Sequence, residues 1–258
     1  MIAIDLNCDM GELPELVEDG TQERLLRWVS SINVACGGHA GDEGLMEATI
    51  RAAQRQGADG REIRVGAHPG FPDREHFGRI AMAMDAAVIA DTVAEQVERL
   101  THVAERCGVE IRHGKAHGAL YNLAAKDSSV ARAVAVGFAR CLPGIPLMGL
   151  AGSVMLEVFA EEGFPALPEA FVDRRYEADG SLRARHHPDA VIHEPGEAAQ
   201  QAVQIATKGT VHSWDGMLVP VRARSLCIHS DSMGSPSIAE AVRSALGGAG
   251  ISVDWGTP

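Results

Sequence analysis

The 258 residues are 46% hydrophobic and 22% charged, an ordinary globular balance that supplies a sizeable core and excludes a disordered chain. With 35 acidic and 23 basic side chains the formal net charge is -12, and no lysine or arginine run forms a phosphate-tracking stripe; with an aromatic share of only 4%, this excludes nucleic acid as a partner. Cys8, Cys36, Cys107, Cys141 and Cys227 contain no C-x-x-C pair, the opening "MIAIDLNCDMGE" lacks a basic region followed by an apolar one, and no stretch approaches the roughly 18 apolar residues of a membrane span, so a cytoplasmic protein with reduced thiols and no membrane contact is expected.

Short apolar runs alternate with longer stretches of helical period, and no linker tract divides them. The first strand is expected at 2–7 ("IAIDLN") and the second at 31–36 ("SINVAC"). "DEGLMEATIRAAQRQG" then reads as a helix, with Asp42 as its N-cap and Gly57 beyond its last turn. A strand at 63–68 leads to "DAAVIADTVAEQVERLTHVAERCG", a helix that sets Val88, Val93, Val97, Leu100 and Val103 on one face and stops at Gly108. Strands at 109–113, 145–150, 167–172 and 224–229 alternate with the helices "DSSVARAVAVGFARCLPG", "SVMLEVFAEEG", "EPGEAAQQAVQIATKG" and "SPSIAEAVRSALGG". The stretch 174–223 is expected to be an irregular insertion carrying a hairpin.

About seven strand-helix pairs call for a mostly parallel sheet, because parallel neighbours need crossover connections. A closed barrel and an open doubly wound sheet both satisfy that count. The polar residues favour the barrel. Nearly every strand ends in chemically capable side chains: Asn7, Asp9 and Glu12; His39 and Asp42; His68 and Asp73; Lys115 and His117; Asp173 and Arg174; His229 and Asp231. One mouth of a barrel gathers them, whereas an open sheet would scatter half of them. The expected fold is therefore α/β, a single domain over 1–258 built as a distorted or incomplete TIM-like barrel of about seven strands.

In "DLNCDMGE", Asp5, Asn7 and Asp9 alternate and share a face if the strand persists that far. Capping acids at a strand-end turn account for Asp9 and Glu12 taken alone; the other rim residues give them weight as metal ligands or acid-base groups. "NVACGGHAGD" and "GAHPGFPD" each put a histidine, His39 or His68, at a strand mouth among glycines, where imidazoles from separate strands can converge on a metal or phosphate. In "KAHGALYN", Lys115 and His117 fall on one side of an extended segment, a cation to neutralise phosphate beside an imidazole to move a proton, with Tyr121 as core residue or hydroxyl donor. "FVDRRYEADGSL" has adjacent arginines that point oppositely, and Arg174 is taken as the inward one. "CIHSDSMGSPS" adds His229 and Asp231 before serines that either cap a helix or help hold an anion.

The chain contains no G-x-x-x-x-G-K-[ST], G-x-G-x-x-G, G-x-S-x-G or H-E-x-x-H, which disfavours a standard phosphate loop, dinucleotide site, serine-hydrolase elbow or zincin helix. Taken together, "DLNCDMGE", "NVACGGHAGD", "GAHPGFPD", "KAHGALYN", "FVDRRYEADGSL" and "HSDSMG" resemble the LamB/YcsF family, the A subunits of the bacterial ATP-hydrolysing 5-oxoprolinase, from residue 2 to about 246. The chain departs at Ala116, where the family usually has proline, and at Ser230 and Ser232, where it usually has glycine and threonine. The resemblance implies a distorted barrel related to the sugar deacetylases. It also implies ATP-dependent opening of 5-oxoproline to L-glutamate together with partner subunits B and C.

For that reaction the expected catalytic set is Lys115, His117, Asp231 and Asp9. Lys115, with Mg²⁺ held by Asp9 or Glu12, would balance phosphoryl charge from ATP; His117 or Asp231 would activate water; and Arg174 would clamp the substrate carboxylate beside Asp173, His39, His68, Tyr121 and Asn7. The amine of Lys115 must then lie next to the carboxylate of Asp9, and Lys115→Ala is expected to abolish turnover without unfolding the chain. The alternatives are a metal-dependent deacetylase or amidohydrolase using Asp9, His39 and His68, and a non-catalytic protein that only binds the lactam.

Overall fold

The computed structural model describes residues 2–57 and 61–255. Its elements are β1 (Ile2–Met10), α1 (Pro14–Glu18), α2 (Thr21–Leu26), β2 (Ser31–Ala35), α3 (Glu43–Gln56), β3 (Arg64–His68), α4 (Ala86–Cys107), β4 (Ile111–Lys115), α5 (Gly118–Ala124), α6 (Ser128–Cys141), β5 (Leu147–Leu150), α7 (Val154–Glu161), β6 (Ala166–Phe171), α8 (Pro195–Lys208), β7 (Thr210–His212), β8 (Leu218–Pro220), β9 (Ser225–His229), α9 (Ser235–Gly248) and β10 (Ile251–Val253). Strands β1 to β6 pair in sequence and all in parallel, β9 follows β6, and β9 pairs back onto β1. That last pairing closes a seven-stranded parallel barrel, and β10 extends the sheet along the first residues of β1.

The expected strands are the seven staves, with two differences that matter. β1 runs on to Met10 and β4 to Lys115, so Asp9 and Lys115 are strand residues and not loop residues at the rim. Among the helices, Asp42 caps α3 by accepting from the Leu45 amide. In α4 the stripe of Val93, Val97, Leu100 and Val103 is fully buried, whereas Val88 is 46% exposed and lies off that face, and Ile89 next to it is buried. The stretch 174–223 carries the helix and the hairpin expected within it. These are α8 and the antiparallel β7–β8 pair, and before α8 single bridges such as Arg174 with Val191 order the chain.

Alternation along the staves sorts the side chains. Ile4, Leu6, Cys8 and Met10 of β1, with Ile32, Val34 and Val65, face outward and pack with the helices in one continuous core. The inward set is polar: Asp5, Asn7 and Asp9 on β1, Ser31 and Asn33 on β2, His113 and Lys115 on β4, Glu169 on β6 and Ser225 on β9 are all buried. Barrel interiors are more often filled by branched apolar residues. Here Met148, Leu167 and Trp255 form a small separate apolar cluster, and Phe171 faces Lys115 in the interior.

A buried polar interior must be fully hydrogen-bonded, and near the start of β1 it is. Asp5 accepts from the hydroxyls of Ser30 at 2.8 Å and Ser31 at 2.9 Å, and from Ser225. Burial nevertheless pushes its carboxyl up to about 6. Because the folded value exceeds the unfolded one, the folded state binds this proton more tightly, so stability present at acid pH is lost as pH rises through the window from the ordinary 3.8 to about 6. At about 1.36 kcal/mol per pH unit the effect is about 3 kcal/mol. Denaturation of wild type and Asp5→Asn should show wild type losing that much relative to the variant between about pH 4 and 7; parallel curves would refute the assignment.

Candidate active site

The site is built on the last inward residues of the staves. Lys115, 2% exposed, points its ammonium at Glu169 Oε1 (2.8 Å), Asp9 Oδ1 (3.0 Å) and Asn7 Oδ1 (3.3 Å), with Cys227 Sγ at 3.1 Å. Burial alone would lower its pKa, but Asp9 and then Glu169 outweigh it and hold the amine well above the usual lysine value. Asp9 behaves inversely. Burial raises its carboxyl, and His68 and Lys115 overcome that and hold it well below the usual range. Asn33 donates to both Asn7 and Asp9 and accepts from His113 Nε2 at 2.8 Å, and Tyr121 donates to Glu169 at 3.0 Å. The required meeting of Lys115 and Asp9 is therefore present.

Beside this floor lie three imidazoles around one carboxylate. His39 Nε2 and His117 Nδ1 stand 3.1 and 3.2 Å from Glu12 Oε1, and His68 Nε2 stands 3.0 Å from His117 Nδ1. The rings of His39 and His117 stack at 3.6 Å, nearly parallel at 3°. Burial, then the neighbouring His117, pushes His39 down to about 3, and burial likewise lowers His117, so both rings are neutral. Burial raises Glu12, but the adjacent His117 and His39 outweigh it and hold its carboxyl well below the usual range. The turn into α5 requires Gly118. Its φ is 56°, and a Cβ there would sit 2.6 Å from the carbonyl oxygen of Gly78.

The opposite wall carries a dyad. Asp173, fully buried, accepts from the backbone amide of His229 at 2.9 Å and from its Nδ1 at 3.0 Å. Burial raises the Asp173 carboxyl, yet the adjacent His229 holds it below its usual value. With Nδ1–H committed to Asp173, the neutral ring keeps its Nε2 lone pair. At the mouth, Asp231 grips Arg79 and approaches Arg185 at 3.5 Å. Buried Arg174 donates to the carbonyl of Arg183 at 2.5 Å, and Arg175 instead pairs with Glu197.

A cavity of about 470 Å³ joins these walls. Of the residues expected from sequence, Asp9, His68, Lys115, His117, Tyr121 and Arg174 line it. Asn7, Glu12, His39 and Asp173 do not: they stand behind the wall and hold those that do. Asp231 is also off the wall, and its Oδ2 is engaged by Arg79 and Arg185. His117 lines the cavity with both ring nitrogens occupied. Its Nε2 donates to Phe77 O at 2.9 Å and its Nδ1 faces Glu12 and His68, which leaves no free nitrogen for substrate. Glu169, Asn33, His113, Arg79 and Arg185 were not among the expected site residues, and His229 was placed at the rim without a role. Glu169 had a readable signal, since 167, 169 and 171 alternate to one face of a strand that otherwise reads as apolar.

The LamB/YcsF family model matches residues 4–257. The chain belongs to the LamB/YcsF family. A family relative from Chloroflexus aurantiacus, named as the A subunit of 5-oxoprolinase, is 45% identical over 253 residues, covering 98% of each chain. One of the same name from Haemophilus influenzae is 42% identical over 243 residues, covering 94% of this chain and 95% of that one. The crystal structure of a lactam utilization protein from Thermus thermophilus superposes with a TM-score of 0.89 at 38% identity, over 99% of this chain and 100% of that one. This LamB/YcsF chain also shares its fold alone, at 12% identity and a TM-score of 0.55, with a putative cellobiose-phosphate cleavage protein from Enterococcus faecalis, over 98% of this chain and 97% of that one. Among the described residues no helix is long and apolar enough to cross a membrane.

Proposed function

We propose that this chain is the A subunit of a cytoplasmic 5-oxoprolinase and opens the lactam of 5-oxo-L-proline to L-glutamate, with ATP consumed and with partner subunits B and C. The observation that carries the reading is the charge layout of the cavity. Arginines at 79, 174 and 185, a buried ammonium at 115 and an imidazole-carboxylate dyad at 229 and 173 surround one space, which suits a small ring bearing one carboxylate and one amide. The names of the relatives support the same substrate.

In this mechanism Arg174, with Arg185, takes the substrate carboxylate, a pairing that guanidinium geometry favours. His229 Nε2 accepts the proton of the attacking water, while Asp173 fixes the ring and offsets the charge it gains. The same nitrogen then returns the proton to the departing ring nitrogen. Lys115 faces the cavity as a fixed cation where negative charge develops on the carbonyl oxygen. ATP would supply a phosphoryl group that weakens amide resonance, and the rim arginines are the groups here suited to its phosphates. Mg²⁺ on Asp9 and Glu12 does not fit. Asp9 Oδ1 already accepts from Lys115 and Asn33, and Glu12 sits among imidazoles and not among oxygen donors and water.

A second reading, hydrolysis by a metal-dependent amidohydrolase without ATP, is favoured by the imidazole cluster. One assay separates the two: glutamate formed from 5-oxoproline by the chain alone and with its candidate partners, with and without ATP. Product that requires ATP supports the first reading. Product without ATP, or none with folded chain and partners present, rejects it. His229→Ala should lower kcat/KM by about 10²-fold, mainly through kcat; an unchanged kcat would exclude the dyad.

A further inference from the structure

We infer that His39, His68, His117 and Glu12 form a binding site for one divalent transition metal of the zinc class. The argument starts from protons. His68 Nδ1 lies 2.9 Å from the carbonyl oxygen of Lys115, and His117 Nε2 lies 2.9 Å from that of Phe77. A carbonyl only accepts, so both of these nitrogens carry the ring proton, and the lone pairs are on His68 Nε2 and His117 Nδ1. Those two lone pairs face each other at 3.0 Å, with Glu12 Oε1 a further acceptor 3.2 Å from His117. With all three rings neutral, only His39 has a proton free to place. Putting it on Nε2 satisfies Glu12 but leaves Nδ1 buried with no partner, and the two facing lone pairs remain.

A cation at the centre resolves this. The four donor atoms lie within 4.8 Å of one another, and the closer spacings of 3.0 to 3.2 Å approach the edge of a tetrahedron, about 3.3 Å, built on metal-nitrogen bonds of about 2.0 Å. Three imidazoles and one carboxylate select zinc-like ions over magnesium, which demands oxygen ligands and water. Backbone carbonyls that hold the outer nitrogens of ligating histidines are the usual support of such sites. One of them is delivered at a cost in strain, because Phe77 adopts a φ of 56°, which is uncommon for an aromatic residue. A second grouping, Asp9, Cys227 and His229, also has converging donors, but the ammonium of Lys115 contacts Asp9 and Cys227 and would repel a cation there. His68 and His117 line the cavity whereas His39 and Glu12 lie behind, so the ion would border the cavity floor.

The inference stands on this geometry and does not depend on the lactam reading, and its test does not use turnover. The folded full-length chain, stripped with a chelator, is titrated with Zn²⁺ by calorimetry and with Co²⁺ by visible absorption. About one equivalent should bind, with ligand-field bands of a low-coordinate Co²⁺ centre, a raised Tm and no displacement by millimolar Mg²⁺. His39→Gln and Glu12→Gln should each weaken binding about 100-fold, whereas Asp231→Asn, outside the cluster, should leave it unchanged. The wild-type titration decides even if a variant fails to fold. No uptake by folded wild-type protein, or uptake that both folded variants retain in full, would overturn the site.

Discussion

Replacing Lys115 with methionine is expected to lower turnover on the order of 10³-fold and to destabilise the fold by about 3–5 kcal/mol. The sequence expectation kept the protein folded after loss of this residue, but that supposed a rim lysine in water. The amine is instead buried between Asp9 and Glu169, at 3.0 and 2.8 Å, and both carboxylates depend on it. Methionine preserves volume, so the loss is electrostatic: two buried carboxylates without their counter-charge. The double variant Lys115→Met with Glu169→Gln removes one of those charges. It should regain much of the stability, measured by urea denaturation, while glutamate formation stays low. If the single variant is as stable as wild type, the buried-pair account fails; if the double variant recovers turnover, Lys115 has no part in the chemistry.

What the sequence revealed and what it hid follow from one feature of the barrel. Each stave reads as an apolar run because its outward residues, such as Ile4, Leu6 and Cys8, pack against helices, and that signal is local. The rim motifs were legible for a similar reason, since glycines and prolines mark where strands end. Depth was not legible. Whether Lys115 ends in solvent or reaches back into the barrel depends on β4 extending to Lys115, a boundary set by pairing with Met148 of β5. Roles within the rim were equally hidden. Asp231 and His229 are two residues apart, yet the histidine turns inward to Asp173 and the aspartate is held by Arg79, 152 positions away in the chain. Asn33 and His113 were invisible as site residues because their partners come from other staves.

Gly66→Ala should be nearly as damaging as loss of Lys115, although the residue touches no part of the cavity wall. In a strand pattern a glycine is a weak choice unless something approaches it closely. Here that neighbour is the ring of His113, paired across from Gly66 beside a register shift in β3–β4, and an added Cβ would sit 2.1 Å from its Nε2. The ring cannot retreat freely, because it is fully buried and lies 4.8 Å from Trp255. Moving it breaks its bond to Asn33, which in turn donates to Asp9 at 2.8 Å. Overpacking at about 1–3 kcal/mol and an unsatisfied buried polar group at about 1–3 kcal/mol together predict a loss of roughly 2–6 kcal/mol. The two sites are in contact, so their effects should not add. Gly66→Ala combined with His113→Ala should be more stable than Gly66→Ala alone, because the clash disappears with the ring. Additive losses in that double-mutant cycle would show that the glycine is required for some reason other than the approach of His113.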